Sequence, residues 1–201
     1  MLKQFLTVIF SAVLIHNFVL YRCLGICPYA GVSQESRNSL SMGIAVIFVM
    51  TLSSLISWLI YRFLLAPFHI EYLRTVTFIL VIATFVQITE MVIHKTNRKL
   101  HQSLGIYLPL ITTNCAVLAV TVLNIDNFFI NAKPVPYSLV LSLTQGVSAG
   151  VGFTLAIFLL ATIRERLEFA NVPNCLKGAP ITFILASLIS LSFLGFTGMK
   201  I

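Results

Sequence analysis

Leu24-Gly25-Ile26-Cys27-Pro28-Tyr29-Ala30-Gly31 interrupts an otherwise apolar run from about Phe5 to Ala30. Glycine and proline flank a cysteine there. Proline removes a backbone donor and clashes with the preceding turn, so a helix through this run is expected to break at the segment. Irregular backbone at membrane depth survives only where it is buried in protein or lines a cavity. A second segment, Leu108-Pro109-Leu110-Ile111-Thr112-Thr113-Asn114-Cys115, repeats the pattern at the centre of another apolar run. Again a proline precedes polar residues and a cysteine, and polar side chains at that depth cost free energy without partners.

Outward from these two segments the chain is apolar almost throughout. Its 201 residues are 58% hydrophobic and 9% charged, with a mean hydropathy of +0.98. Soluble domains are about 45–50% apolar and about 25% charged, so an ordinary soluble enzyme and a disordered chain are excluded. Six apolar runs are read as membrane helices: about Phe5–Ala30, Leu40–Phe63, Tyr72–Ile93, Leu104–Leu123, Tyr137–Ile163 and Ala179–Phe196. No alternating barrel pattern appears. The start, Met1–Gln4 then Phe5–Leu20, lacks a small-x-small cleavage site and reads as a retained first span. Trp58 and Tyr61, ending the second run, suit the headgroup level. The expected class is an all-α membrane protein forming a single polytopic domain, 1–201.

The net charge of +7 sits in short loops, with no basic face to track a phosphate backbone, which excludes nucleic acid. Loops after runs one, three and five carry Arg22, Arg37, Lys95, Arg98, Lys99, Arg164, Arg166 and Lys177. The other side carries Lys3, Arg62, Arg74, Lys133 and Lys200. Basic residues favour the cytoplasmic side, so both termini are expected outside, in the periplasm if the host has one. The triplet Arg164-Glu165-Arg166 reads as a cytoplasmic surface anchor of run five.

Run three holds Thr77-Phe78-Ile79-Leu80 and run six holds Thr182-Phe183-Ile184-Leu185. With the paired broken segments, this echo points to two three-helix halves, about 1–98 and 99–201. Three is odd, so the halves enter the membrane in opposite senses, an inverted repeat with helices 1 and 4 broken. Such folds place their sites near the midplane between the halves.

Cys27 and Cys115 are therefore the candidate site, two thiolates brought together across the pseudo-two-fold. Iron–sulfur clusters and structural zinc sites usually take four ligands, so a two-cysteine half-site calls for a partner chain with a matching pair. The alternatives are two small buried hydrophobes or a disulfide. Cys23, beside Arg22, could stand in for Cys27 but lacks its glycine and proline; it and Cys175 read as structural. His16, Asn17, Gln87, Glu90 and His94 are candidates for an ion or proton path, with Glu90 equally suited to pairing with the basic loop at Lys95, Arg98 and Lys99. No Walker-type phosphate loop, His-Glu-x-x-His or Gly-x-Gly-x-x-Gly occurs, and the glycines of Gly146–Gly152 read as close helix packing.

At Asn17–Leu20, Leu24–Tyr29 and Gly31–Ser33 the chain resembles the A-type membrane subunits of bacterial Rnf electron-transport complexes. Phe48–Leu52, Tyr72–Thr75, Thr89–Val92, Leu104–Val117, Ile163–Leu167 and Val172-Pro173 continue the resemblance over nearly the whole chain. Membrane subunits of the sodium-pumping NADH:quinone oxidoreductase are related. The resemblance implies six helices in an inverted repeat, in the bacterial inner membrane. It implies a homologous E-type partner of opposite topology and one intramembrane [2Fe–2S] cluster, each subunit giving two cysteines, here Cys27 and Cys115. It further implies a complex passing electrons between ferredoxin and NAD, coupled to sodium or proton movement and inactive as this chain alone. Thr113 and Asn114 are placed to hydrogen-bond cluster sulfur. The sequence departs from the pattern at His16, at the additional Cys23 and in a longer Asn124–Pro136 loop. The competing readings are a secondary transporter without a redox role, which inverted repeats and Glu90 also fit, and a scaffold that only holds a complex together.

Overall fold

The computed structural model describes residues 2–33, 36–65, 71–96, 110, 114–128, 135–169, 173 and 176–195, and the described residues are helical with no strand. Helix α1 covers Leu2–Phe10 and runs on as a π-helical turn, Ser11–Ile15. A short α2 follows at Ile26–Val32. Helix α3 spans Ser36–Ile60 and ends in a second π-helical turn, Tyr61–Leu65. A 3₁₀ turn, Glu71–Leu73, leads into α4, Arg74–Thr96. Then come α5 at Cys115–Phe128, α6 at Val135–Glu168 and α7 at Ala179–Leu194. Each of the six apolar runs holds at least one of these helices.

Among the described residues two stretches are long and apolar enough to cross a membrane, Asn38–Leu65 and Ser138–Leu167. They pair along α3 and α6 as the centre of the molecule. At 34 residues, α6 is roughly 50 Å long at 1.5 Å per residue, more than a hydrocarbon layer of about 30 Å. The glycines of run five explain the close pairing. A Cβ on Gly150 would lie 2.8 Å from Ile47 Cα, and one on Gly146 would lie 2.7 Å from Ser54 Oγ. Small residues one turn apart let two backbones approach where lipid gives no hydrophobic drive for association. Gly152 admits α1 in the same way: its Cβ would lie 3.1 Å from Ala12 O.

Phe78, Met42, Met50, Phe153, Ile157 and Leu160 are fully buried between the helices. The outside is as apolar as the inside, as Ile79, Leu80 and Met91 on α4 and Leu188 and Leu191 on α7 are all exposed. A soluble protein rarely exposes so much contiguous apolar surface; lipid is the solvent that accepts it. Trp58 and Tyr61 are not at that outer surface. They are 7% and 3% exposed, and Trp58 Nε1 donates to Ser138 Oγ at 3.2 Å. Because α3 lies against α6 to its end, this aromatic pair turns inward, and a buried indole N–H needs such a partner.

Hydrogen bonds fix which helix ends lie together. Arg74, opening α4, is 2.6 Å from Asp126 near the end of α5. At the opposite end of the bundle, Arg164 and Glu165 on the last turns of α6 reach the link between α2 and α3. In run four the described α5 opens at Cys115 and continues past Leu123, where Asn124 bonds Ser54 of α3 and Asp126 pairs with Arg74. The two Thr-Phe-Ile-Leu tetrads start at the fourth residue of α4 and of α7, and Thr77 and Thr182 bond the carbonyls four residues back. Their burial differs: Phe78 is 0% exposed and Phe183 56%.

Candidate functional site

The first broken segment opens earlier than its proline. Helix α1 ends at His16, whose N–H bonds Ser11 O. Nonhelical backbone then runs to Gly25, with left-handed φ of 53° at Cys23 and 79° at Gly25. Asn17, 1% exposed, holds the break together. Its Nδ2 donates to Val13 O at 3.1 Å and to Gly152 O at 2.8 Å, and its Oδ1 accepts the Val19 N–H at 3.1 Å. Tyr21 N–H bonds Asn17 O, Leu24 N–H bonds Phe18 O, and the Ser190 hydroxyl of α7 donates to Leu20 O. Backbone polar groups at membrane depth need such internal partners. Pro28 does not break the helix. It is the third residue of α2, where an N–H would have no intrahelical acceptor.

The second segment is described from Asn114 onward. Asn114 caps α5: its Oδ1 accepts the Ala116 N–H at 3.0 Å, a favoured N-cap arrangement. Pro109, Thr112 and Thr113 lie outside the described residues.

The two breaks meet. A Cβ on Gly25 would lie 2.6 Å from Asn114 Oδ1 and 3.2 Å from the Phe153 ring. Phe153 is at the middle of α6, so the contact is at the middle of the bundle. From it α2 runs towards the Arg164 end of α6 and α5 runs towards Asp126, in opposite directions. Cys27 is the second residue of α2 and Cys115 the first of α5; both are exposed thiols rather than a disulfide, as is Cys23. Asn114 Nδ2, beside Cys115, is buried without a hydrogen-bond acceptor among the described residues.

The far end of α2 is held by residues that the sequence marks only as a surface anchor. Arg164 donates to Ala30 O at 3.2 Å and to Ser33 Oγ at 2.8 Å, and Glu165 accepts the Ser36 N–H at 2.8 Å. No spacing signals a pairing across some 130 residues of chain. Of the other candidates, His16 is exposed with its ring 5.1 Å from that of Tyr21, and Gln87 is exposed on α4. Cys175 and the side chains of Glu90 and His94 lie outside what is described. Among the described residues no three His, Cys, Asp or Glu side chains group to hold a metal ion. Cys27 and Cys115 are two exposed thiols on the helices that open at this contact.

The family model described as "Rnf-Nqr subunit, membrane protein" matches residues 5–200. The chain is 48% identical over 198 residues to the A-type subunit of the ion-translocating oxidoreductase complex of Vibrio vulnificus, covering 98% of this chain and 99% of that one. The corresponding Shewanella oneidensis protein gives the same identity and coverage. The chain is 49% identical over 194 residues to the A-type subunit of the Na(+)-translocating ferredoxin:NAD(+) oxidoreductase complex of Acetobacterium woodii, covering 96% and 97%.

Proposed function

This chain belongs to the Rnf-Nqr family of membrane subunits, and from that membership we propose that it is the A-type subunit of an ion-translocating ferredoxin:NAD oxidoreductase in the bacterial inner membrane. In this reading it has six spans in two inverted halves, 1–98 and 99–201, with both termini on the outer side. It pairs with a homologous subunit of opposite topology, and Cys27 and Cys115 supply half the ligands of a shared [2Fe–2S] cluster. Bound there, the cluster supplies a one-electron carrier within the membrane.

The observation that carries the reading is the meeting of the two breaks, Gly25 against Asn114 over the middle of α6, with Cys27 and Cys115 both exposed beside it. The chain's own residues suit such a group. Thiolates are the ligands that iron–sulfur clusters use, and two of them leave room for two more from a partner. Asn114 Nδ2, without an acceptor among the described residues, is a donor available to sulfur, one of the levers on a cluster's electronics. Arg164 and Ser33 fix the end of α2 away from Cys27, and Asn17 fixes the break before it. The opposite directions of α2 and α5 and the matched register of the two tetrads support the inverted halves.

The test is iron content and the EPR signal of the purified complex with Cys27→Ser and Cys115→Ser, singly and together. Loss of the intramembrane [2Fe–2S] signal in each variant, with the complex intact, is expected. If iron and signal survive the double substitution, the cluster does not sit on this chain.

A further inference from the structure

A second polar feature lies apart from the cysteines, where α3, α5 and α6 cross. Asn124 of α5, 3% exposed, donates through Nδ2 to Ser54 Oγ of α3 at 3.0 Å and to Ser142 O of α6 at 3.3 Å. Those two bonds use both amide protons. Among the described residues its Oδ1 is buried with no donor, and the Ser142 hydroxyl is likewise without a partner. On α3, Ser53 and Ser57 are one turn apart, bracket Ser54, and are likewise buried without partners. All four residues are at most 3% exposed. Each such orphan costs free energy in an apolar interior and calls for an explanation. Two of them, on Asn124 and Ser142, belong to residues bonded to each other at this crossing and call for a common occupant.

We infer that this crossing is a site for a partly dehydrated alkali cation, with Asn124 Oδ1 and the Ser142 hydroxyl as two of its oxygens. The inference rests on the ion-translocating reading and names the class of ion. Hard cations are held by oxygen, and what this crossing leaves unused is oxygen: an amide oxygen stripped of donors and hydroxyls with free lone pairs. No carboxylate belongs to the node, which fits a single positive charge that must leave again rather than a tightly held divalent ion. Amide and hydroxyl groups do not titrate near neutral pH, so the node does not serve as a proton carrier. Two residues further along α5, Asp126 is 2.6 Å from Arg74, with side chains 39% and 24% exposed. This half-exposed pair lies towards the end of α5 from the node.

The experiment uses the intact purified complex and the sign of one stability difference. Thermal midpoints of wild type and Ser142→Ala are measured in sodium chloride and in choline chloride at equal ionic strength. An orphaned hydroxyl with no occupant is better removed. With a cation bound, the hydroxyl is a ligand that stabilises the folded state by mass action. Ser142→Ala is therefore expected to melt higher than wild type in choline and lower in sodium. Ser142→Thr, which keeps the hydroxyl, is measured alongside and is expected to keep the wild-type response to the two salts. If Ser142→Ala differs from wild type by the same sign in both salts, the crossing holds water or nothing and the inference is overturned. Other sodium sites in the complex affect wild type and variant alike and cancel. The cluster's EPR signal, recorded on the same samples, reports separately on the cysteine reading, so failure of one does not mimic failure of the other.

Discussion

Gly25→Ala addresses the contact on which the site depends. At φ +79° an alanine pays left-handed strain, and its Cβ would sit 2.6 Å from Asn114 Oδ1. Reaching ordinary contact at 3.4 Å requires Asn114 to retreat by about 0.8 Å, the difference of the two distances. Asn114 has little room to do so, because the same oxygen accepts the Ala116 N–H that starts α5. The left-handed conformation costs roughly 1–2 kcal/mol for a non-glycine residue, and losing the cap costs about 1 kcal/mol. The sum, roughly 2–3 kcal/mol, corresponds to a 30- to 150-fold shift in a folding equilibrium. Gly31→Ala is the control. Gly31 is in α2 with nothing within 4 Å of a Cβ, so alanine there is expected to add roughly 0.5–1 kcal/mol through helix propensity. The assay is thermal unfolding of the purified complex, with the EPR amplitude per complex as a second readout. Gly25→Ala is expected to melt lower and lose amplitude, and Gly31→Ala to do neither. If the two variants behave alike, the two broken segments are not packed as described.

Further substitutions probe the supports of that contact. Asn17→Leu removes three hydrogen bonds, two of them fully buried, and leaves the Val19 N–H without its acceptor; a loss of about 3 kcal/mol should appear in the melting temperature. Gly150→Ala drives a Cβ to 2.8 Å from Ile47 Cα, and thermal unfolding should report the roughly 1–3 kcal/mol of overpacking between α3 and α6. Arg164→Gln frees the end of α2, and maleimide labelling of cluster-free protein should speed up at Cys27 relative to Cys115.

The helical runs, and the helix starts that carry Cys27 and Cys115, were legible because hydropathy and helix breakers are local signals. The position of the first break was not. Proline marked the right neighbourhood, but the break is held by Asn17, whose decisive partner, Gly152 O, is 135 residues away. Asn114 was legible as a polar residue before a cysteine, while its packing on Gly25 needed the fold. Trp58 shows the limit of composition rules. An aromatic at the end of an apolar run reads as a headgroup anchor, yet which face of α3 meets α6 is set by glycines on the other helix. The two Thr-Phe-Ile-Leu tetrads share a register but not a face, since neighbouring helices decide burial.

One consequence of the fold concerns what covers it. His16, Tyr21, Arg22, Cys23, Cys27 and Cys115 are all exposed on the described chain. Cys27 and Cys115 open the helices that start at the Gly25–Asn114 contact over the middle of α6, while His16 and Arg22 lie nearer the start of α6, beside Leu123 and Gln145, so Arg22 packs on the bundle rather than in the loop expected from the sequence. Arg22 lines a half-open cavity of about 370 Å³ with Thr7, Ser11, His16 and Gln145. Lipid tails do not satisfy a guanidinium there; charged groups on a membrane bundle face protein or water. The exposed apolar faces of α4 and α7 suit lipid, whereas this strip suits a second protein, as the shared-cluster reading requires. Arg22→Glu is therefore expected to prevent co-purification of the chain with the other membrane subunits. Lys95→Glu, at the exposed end of α4, is expected to leave co-purification intact. Equal recovery of the complex from both variants would place the partner on another face.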